Sequence, residues 1–313
     1  MKPLLSVVVP VYGCEACLDE LLRRLKAALK RVPADHEILL VDDASPGGAW
    51  ARIARLAAKD RRVRGLRLSR NFGQHQAISA GLDAARGTHV VVMDCDLQDD
   101  PDEIPRLFAE LQRSGCDAML ARRSTRQDPW WKRQASQLFY RALGYLTDTR
   151  LDASVANFGV YRANVIQAVR SMGDQTRFFP VMVRWVGFKV GSLEVAHQPR
   201  FAGDSAYSLL RLLRLGGNVV LTFSNKPLRI MVNVGFLLSG LAAAYACWVL
   251  LLSYHNGITV PGWTSVIISL WFLSGVQMIS AGIVGTYIGK IFDAAKGRPG
   301  YIVGESVNPK RGA

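Results

Sequence analysis

Two long stretches near the C-terminal end carry almost no charge, and they restrict the chain more than any motif does. From Leu228 to Tyr254 the only charged residue is Arg229, and from Thr264 to Ile288 there is none. Each run exceeds the ~20 residues that cross a hydrocarbon core at ~1.5 Å per residue. Two such runs side by side are rare in soluble folds, so they predict a transmembrane hairpin of two helices, 228–254 and 264–290. The linker from His255 to Trp263 lacks Lys and Arg, whereas Lys226 precedes the first run, Arg229 lies near its start, and Lys290, Lys296, Arg298, Lys310 and Arg311 follow the second. That asymmetry places both ends in the cytoplasm. Tyr254 and Trp263 stand where interfacial aromatics belong.

Upstream, Ser208 to Ser224 alternates Leu clusters with Arg211 and Arg214, the pattern of an amphipathic helix lying on a membrane surface, and 206–227 is assigned to it. Residues 291–313 read as a basic cytoplasmic tail. Anionic headgroups thereby account for part of the net charge of +14, and nucleic acid is not needed to explain it. Met1-Lys2-Pro3 followed at once by Leu4–Pro10 is too short in its apolar part for a signal peptide and reads as a buried strand.

The first 205 residues have a different rhythm. Apolar runs of strand length fall at Leu4–Val11, Glu37–Val41, Val63–Leu68, His89–Met93 and Asp117–Ala121, with helical patterns between them at Cys17–Arg31, Ala49–Lys59, Gln74–Ala85 and Pro101–Ser114. This alternation predicts βαβ units: a Rossmann-like, mainly parallel sheet with helices on both faces. Ligands of such sheets bind beyond the carboxyl ends of the strands. The residues to inspect are therefore Pro10 and Tyr12, Asp42-Asp43, Arg70-Asn71 and Asp94-Cys95-Asp96. No G-x-G-x-x-G follows the first strand and no G-x-x-x-x-G-K-[ST] occurs, which disfavours dinucleotide-dependent hydride transfer and P-loop NTP hydrolysis.

Acids that close adjacent strands repel one another unless a cation or hydrogen-bond donors lie between them. Asp94 and Asp96, two apart on a chain leaving a strand, can face one divalent ion, and Gln98 adds a neutral oxygen at the same alternation. Hard oxygen ligands suit Mg²⁺ or Mn²⁺ carrying a diphosphate. The acids just beyond read differently. Asp100-Pro101-Asp102-Glu103 has a cap, a proline at the first helical position and an acid three residues after the cap, which is a helix start. Asp43 and Ser45 are open between capping the next helix and touching a ligand.

Five cysteines are scattered. Cys14 and Cys17 form a lone C-x-x-C with no second pair to complete a zinc site. Cys95 lies within the acidic triplet and Cys247 in an apolar run. Nothing resembles a disulfide framework, and a reducing compartment fits best.

V-V-V-P-V-Y near the start, L-V-D-D-A-S, S-R-N-F-G and M-D-C-D-L-Q-D-D-P together resemble glycosyltransferase family 2, with its GT-A fold. D-A-S-V-A-N-F-G-V-Y-R, R-F-F-P-V-M-V-R-W-V-G-F and R-F-A-G-D-S-A-Y-S, with the apolar hairpin, resemble its polyprenyl-phosphate branch. The resemblance covers nearly the whole chain. It implies a nucleoside pocket lined by Pro10, Tyr12, Glu15 and Asp42, with Asn71 also on the nucleotide, and a metal site at Asp94, Asp96 and Gln98. It implies an acceptor phosphate held by Arg123, Lys132, Ser136 and Arg200, and catalytic roles for Asp96, Asn157 and Arg200. The implied activity is inverting, metal-dependent transfer of one sugar from a nucleotide donor, UDP-linked in most bacterial relatives, to undecaprenyl phosphate at the cytoplasmic membrane. Relatives of this type form tetramers.

Three positions depart from that pattern. Asn157 stands where many relatives have Asp, Ala206 where many have Lys, and Cys95 where Ala is common. An acceptor phosphate monoester with a second pKa of ~6 is already an anion at neutral pH, so the first departure removes no indispensable base. Two competing readings are a processive polysaccharide synthase and an inactive scaffold of the same fold. The Q-x-x-R-W of the synthases is incomplete, with Val181 three residues before Arg184-Trp185. The intact acidic triplet argues against the scaffold.

Overall fold

The computed structural model describes residues 4–123, 155–174, 177–195, 224, 226–256 and 262–308. The chain divides into two units. One comprises Met1–Tyr145, Thr149–Ser208 and Pro299–Ala313; the other comprises Leu146–Asp148 and Leu209–Arg298.

In the first unit the strands are β1 (Leu4–Val11), β2 (Asp35–Asp42), β3 (Val63–Leu68), β4 (His89–Val92), β5 (Ala118–Arg123), β6 (Val155–Arg162), β7 (Val190–Val195) and β8 (Val303–Val307). They form one sheet in the order β7-β5-β6-β4-β1-β2-β3-β8. The pairs β1–β2, β1–β4 and β2–β3 are parallel, as the alternation predicts. β6 runs antiparallel to both β4 and β5, and β5 is parallel to β7. β5 therefore points the same way as β1–β4, and its last residue, Arg123, reaches the same edge.

Two helix layers flank the sheet. On one face lie α1 (Leu18–Leu29), α2 (Ala49–Lys59) and α4 (Ile104–Ser114), whose apolar stripes pack on Leu5, Val7, Val9, Ile38, Leu40 and Val91. Leu18, Leu21, Leu22, Leu25 and Leu29 recur at helical spacing, which is why 18–29 is a helix with one buried side. On the other face α3 (Gln74–Ala84) packs Ala77 and Ala80 on Val41, Leu66 and Leu68, and α5 (Ala163–Ser171) and α6 (Phe179–Trp185) lie beside it. A Cβ on Gly81 would come within 2.3 Å of Val8 Cγ1, so glycine is what lets α3 approach the sheet so closely.

At the amino ends of the strands Glu37 and Arg64 form a buried ion pair at 2.8 Å, with 7% and 6% of their side chains exposed. Its remaining valences are filled: Glu37 Oε1 accepts from Ser6 Oγ and Arg86 N, and Arg64 donates to the carbonyls of Ala84 and Asn308.

The C-terminal segment corrects one sequence expectation. Residues 291–313 do not simply trail as a basic tail, because Val303–Val307 pairs antiparallel with β3 as β8. A five-residue strand of Val, Gly, Glu and Ser has no pattern of its own; the unpaired edge of β3 supplies the hydrogen-bonding partner that the local sequence does not announce.

The second unit contains α7 (Lys226–Asn256) and α8 (Trp263–Ala295), each a few residues longer than the apolar runs that predict them. Among the described side chains on these helices, Phe236 (75%), Trp271 (79%), Phe272 (61%) and Met278 (79%) face outward. Within α8, Ser269–Ala295 is long and apolar enough to cross a membrane, with a mean hydropathy of 1.3. Most of the expected amphipathic segment, 206–223, lies outside the described residues.

Removing one partner of the buried pair strands the other. Glu37→Ala is expected to cost about 3–5 kcal/mol and to lower the Tm of the purified protein by on the order of 10 °C. The double change Glu37→Leu with Arg64→Met should recover much of that loss. Thermal melts of the three proteins check this, and an unchanged Tm for Glu37→Ala contradicts it.

Candidate active site at the carboxyl ends of the strands

β1, β2 and β3 proceed to one side of the sheet and β4 returns to the other side of β1, so the topology switches between β1 and β4. That is where an open α/β sheet leaves a crevice. Register fixes what borders it. Val11 lies opposite Asp42, Val8 lies opposite Val92, and Met93 N donates to Val8 O at 3.2 Å. Asp42-Asp43 thus emerge on one side of Val11-Tyr12 and Asp94-Cys95-Asp96 on the other.

Asp42 is completely buried. Its Oδ1 accepts from Ser45 N at 3.0 Å, while Oδ2 is sealed and has no hydrogen-bond partner. A cation, Arg67, stands directly opposite Asp42 on β3, with Nε 3.5 Å from Oδ2. Tyr12 is 54% exposed next to this acid. Of the expected pocket lining, Asp42 is thus a buried carboxylate with one oxygen that has no hydrogen bond, and Tyr12 is an exposed ring.

Asp43 settles one of the open alternatives. It does not cap α2; its two carboxylate oxygens accept from Phe72 N and Gly73 N at 2.8 and 2.9 Å. Burial pushes its pKa up, and these two amide bonds oppose the shift. The clamp holds the Asn71-Phe72-Gly73 turn against β2, leaving Asn71 exposed and starting α3 at Gln74. Gly73 takes a φ of 101° there, which a side chain would strain. Ser45 does not cap α2 either, since its hydroxyl donates to Val11 O. That function belongs to Glu15, whose carboxylate accepts from Gly48 N, the N-cap of α2, at 2.9 Å. Glu15 was expected in the nucleoside pocket; the partner it has in the structure is this helix terminus.

The acidic triplet is arranged by its neighbours. Asp94 Oδ1 accepts from Gln74 Nε2 at 2.7 Å, and Asp94 N donates to the buried Asp99. Asp96 Oδ1 accepts from Gln98 N at 3.1 Å. Leu97 between them has a φ of 62°, a left-handed kink that folds the strand end back on itself. Asp94, Asp96 and Gln98 are all half-buried. Among the described residues no three His, Cys, Asp or Glu side chains form a self-sufficient metal cage. The carboxylates of Asp94 and Asp96 are hard oxygen donors of the kind that fit Mg²⁺ or Mn²⁺, ions that take one or two protein carboxylates and complete their shells with other oxygens.

The following acids are structural. Asp100 caps the next turn by accepting from Asp102 N and pairs with Arg24 at 3.1 Å. Asp102 pairs with Arg31 and Arg24, and Glu103 with Arg106.

Cys14, in the loop after β1, is bonded to Cys95 of the triplet, with Cα atoms 6.2 Å apart. This corrects the expectation of no disulfide. The cysteines are 81 residues apart, so only the parallel pairing of β1 with β4 reveals their proximity. Cys17 is a buried, free thiol, and burial with the nearby Asp96 charge pushes its pKa up.

Asn157 is half-buried near the start of β6. The last β4–β6 pair is Val92 with Gly159, so the antiparallel register carries Asn157 toward Asp94. The side chain of Arg123, and Lys132, Ser136 and Arg200 entirely, lie outside the described residues. Gln74 and Arg67 are the residues that the sequence reading missed. Each follows or ends a segment already singled out, Gln74 after S-R-N-F-G and Arg67 at the end of β3.

His75, next to Gln74, packs edge-on against Phe178 at 4.7 Å, and its Nδ1 is sealed without a hydrogen-bond partner. Burial holds the imidazole neutral by lowering its pKa to about 4.

Residues 6–170 match the family model described as Glycosyl transferase family 2. The uncharacterized glycosyltransferase YkcC of Bacillus subtilis is 35% identical over 96% of this chain and 93% of its own. Undecaprenyl-phosphate 4-deoxy-4-formamido-L-arabinose transferase of Aeromonas hydrophila is 33% identical over 97% and 94%. The prophage bactoprenol glucosyl transferase homolog of Escherichia coli is 32% identical over 96% and 98%. Glucosyl-3-phosphoglycerate synthase from Mycobacterium tuberculosis, solved with Mn²⁺, UDP-glucose and phosphoglyceric acid, superimposes with a TM-score of 0.53 at 15% identity, over 70% of this chain and 78% of that one. That likeness shows a shared GT-A-like α/β fold.

Two outcomes test this geometry. Peptide mapping without reductant should recover a cross-linked Cys14–Cys95 peptide, and full alkylation of both thiols before reduction would contradict the bond. The unfolded chain protonates His75 near pH 6.5 and the folded one only near 4, so the unfolded state binds more protons in between. Stability from this group is complete above pH 6.5 and falls by up to about 3 kcal/mol as pH drops toward 4. In melts from pH 7 to 4, His75→Phe should show a shallower decline than wild type; parallel declines would contradict the assignment.

Proposed function

This chain belongs to glycosyl transferase family 2 and is a glycosyltransferase, and from that premise we propose that it transfers one sugar from a UDP-linked donor to undecaprenyl phosphate at the cytoplasmic face of the membrane. The observation that carries the donor half is the pairing, across the β1–β4 crevice, of the Asp94/Asp96 carboxylates with the buried Asp42. Asp42 has one oxygen without a hydrogen bond, Oδ2, since Oδ1 already accepts from Ser45 N. Uracil presents one imide N–H between two carbonyls and matches that single acceptor. The pairing edge of guanine presents two adjacent donors, and one would go unanswered there. The exposed ring of Tyr12 offers a face to the base.

The acceptor half rests on two other observations. Relatives named for undecaprenyl-phosphate and bactoprenol transfer align end to end with this chain. The chain also leaves the first unit, passes through the apolar α7 and α8, and returns as β8 to the sheet it left. A chain that returns crosses a bilayer an even number of times, which supports a two-helix hairpin with both ends on the side of the catalytic sheet.

The reaction is a direct displacement. The acceptor phosphate, with a second pKa of ~6, is already an anion at neutral pH, so its oxygen attacks the anomeric carbon without a strong base and inverts the configuration. Asn157 is compatible with that chemistry. Asp94, oriented by Gln74, and Asp96, held by Gln98 N, would hold the Mg²⁺ or Mn²⁺. When bound, that ion neutralises charge developing on the leaving diphosphate. Arg123, Lys132, Ser136 and Arg200 are the proposed acceptor-phosphate contacts; guanidinium forks and ammonium groups are the side chains that recognise phosphate. Assembly as a homotetramer is part of this proposal.

The test is a transfer assay with purified full-length protein, undecaprenyl phosphate, UDP-sugars and Mn²⁺. A single-sugar lipid that disappears with EDTA is expected; a polymer would select a processive synthase, and no product a scaffold. Asp96→Asn should reduce transfer by about 10²–10³-fold. Asp102→Asn should leave transfer intact and lower stability by about 1 kcal/mol or less, since its ion pairs are half exposed. Equal loss of transfer in both variants would overturn this division of the acids.

A further inference from the structure

Three residues stand side by side on three neighbouring strands. Asp42 on β2 is opposite Arg67 on β3, and Arg67 is opposite Glu305 on β8. Arg67 is shared unequally between the two acids. Its NH1 donates to Glu305 Oε1 at 2.8 Å, whereas its Nε stands 3.5 Å from Asp42 Oδ2, too far for a well-formed hydrogen bond. Glu305 is itself fixed from the other side, where Trp50 Nε1 of α2 donates to its Oε2 at 2.8 Å. The result is a completely buried carboxylate oxygen with a cation beside it and no hydrogen bond.

That arrangement needs a restraint. A guanidinium next to a carboxylate ordinarily closes into a two-pronged, charge-assisted pair, and here such closure would fill the one acceptor that Asp42 has left. Glu305, which takes NH1 of the same guanidinium, sits on β8, the strand that follows α8.

We propose that Glu305 is a positioning residue for nucleotide binding: by holding Arg67 back, it leaves the buried Asp42 Oδ2 without a hydrogen bond, so that this oxygen can accept the imide N–H of a uracil base when the donor enters. The proposal rests on the uridine-donor reading above. It makes β8 part of the donor site, so donor binding depends on the segment that follows the apolar helices. Glu305 itself touches no substrate. It acts by competing with Asp42 for the same guanidinium.

Competition gives a signature that simple docking of the strand does not. Removing Glu305 frees Arg67 to close on Asp42, and removing Arg67 as well should reopen the acceptor. Asn308 supplies the control, because its Nδ2 ties the same strand to the carbonyls of Ala57 and Val63 at 2.8 and 2.9 Å without touching Arg67.

The experiment is calorimetric titration of UDP with Mn²⁺ into the full-length protein in detergent, paired with steady-state transfer kinetics. Glu305→Ala should weaken UDP binding and raise the donor KM by about tenfold or more, the scale of one hydrogen bond to a charged group, with kcat at saturating donor unchanged. Glu305→Gln, which keeps an acceptor for Arg67, should fall between wild type and Glu305→Ala. The double variant Glu305→Ala/Arg67→Ala should bind UDP more tightly than Glu305→Ala alone. Asn308→Ala should lower Tm while leaving UDP affinity near wild type. If wild type binds UDP and Glu305→Ala binds it equally well, or the double variant shows no recovery, the role of Glu305 is refuted and the donor reading stands. If wild type does not bind UDP at all, the donor reading fails and takes this proposal with it.

Discussion

Parallel pairing of β4, β1, β2 and β3 is the constraint on which the rest of this molecule depends. Parallel strands bring all their carboxyl ends to one edge, so residues that end strands as far apart in sequence as Val11, Asp42, Leu68 and Val92 become neighbours. The reversal of strand order between β1 and β4 opens the crevice there. β5 continues the same direction on the far side of the antiparallel β6, which brings Arg123 and Asn157 to the same edge. Acidic groups gathered this way repel each other, and the fold answers that repulsion locally. Asp43 is spent on two backbone amides, Asp99 on Asp94 N, and Asp100 and Asp102 on arginines of α1 and the segment after it. Asp94, Asp96 and the unbonded oxygen of Asp42 are the acids that the proposed reaction assigns to the donor.

The supporting groups form a connected path. Asp43 holds the turn that begins α3, α3 presents Gln74, and Gln74 orients Asp94. On the other flank, Trp50 holds Glu305, Glu305 holds Arg67, and Arg67 faces Asp42. The two paths place Asp42 and Asp94 on separate supports, and the Cys14–Cys95 bond bridges the loops between them. Preorganisation of this kind lets a donor bind with its diphosphate already set against the place where charge develops.

The C-terminal half adds the lipid side of the problem. Helices whose Phe236, Trp271 and Met278 face outward do not suit water. A chain that returns after them to pair with β3 ties the sheet to both ends of the apolar segment. In the proposed reaction the acceptor is confined to the same bilayer as these helices, and encounter becomes a two-dimensional search.

Period and composition by themselves determined the βαβ alternation, the acidic strand ends and the two apolar helices, because each depends on residues close together in sequence and on solvent preference. The helix start at Asp100 was equally legible, since a cap and its amide are two residues apart. Tertiary structure decided everything that depends on register between distant strands. It decided that Asp43 clamps a turn near residue 72 instead of capping α2, that Glu15 caps α2, and that Cys14 meets Cys95. It also decided that Val303–Val307 is a strand, and that Arg67 is divided between Asp42 and Glu305. A five-residue segment without periodicity acquires its conformation from the edge it pairs with, and a carboxylate acquires its role from whichever donors the fold brings within hydrogen-bond distance.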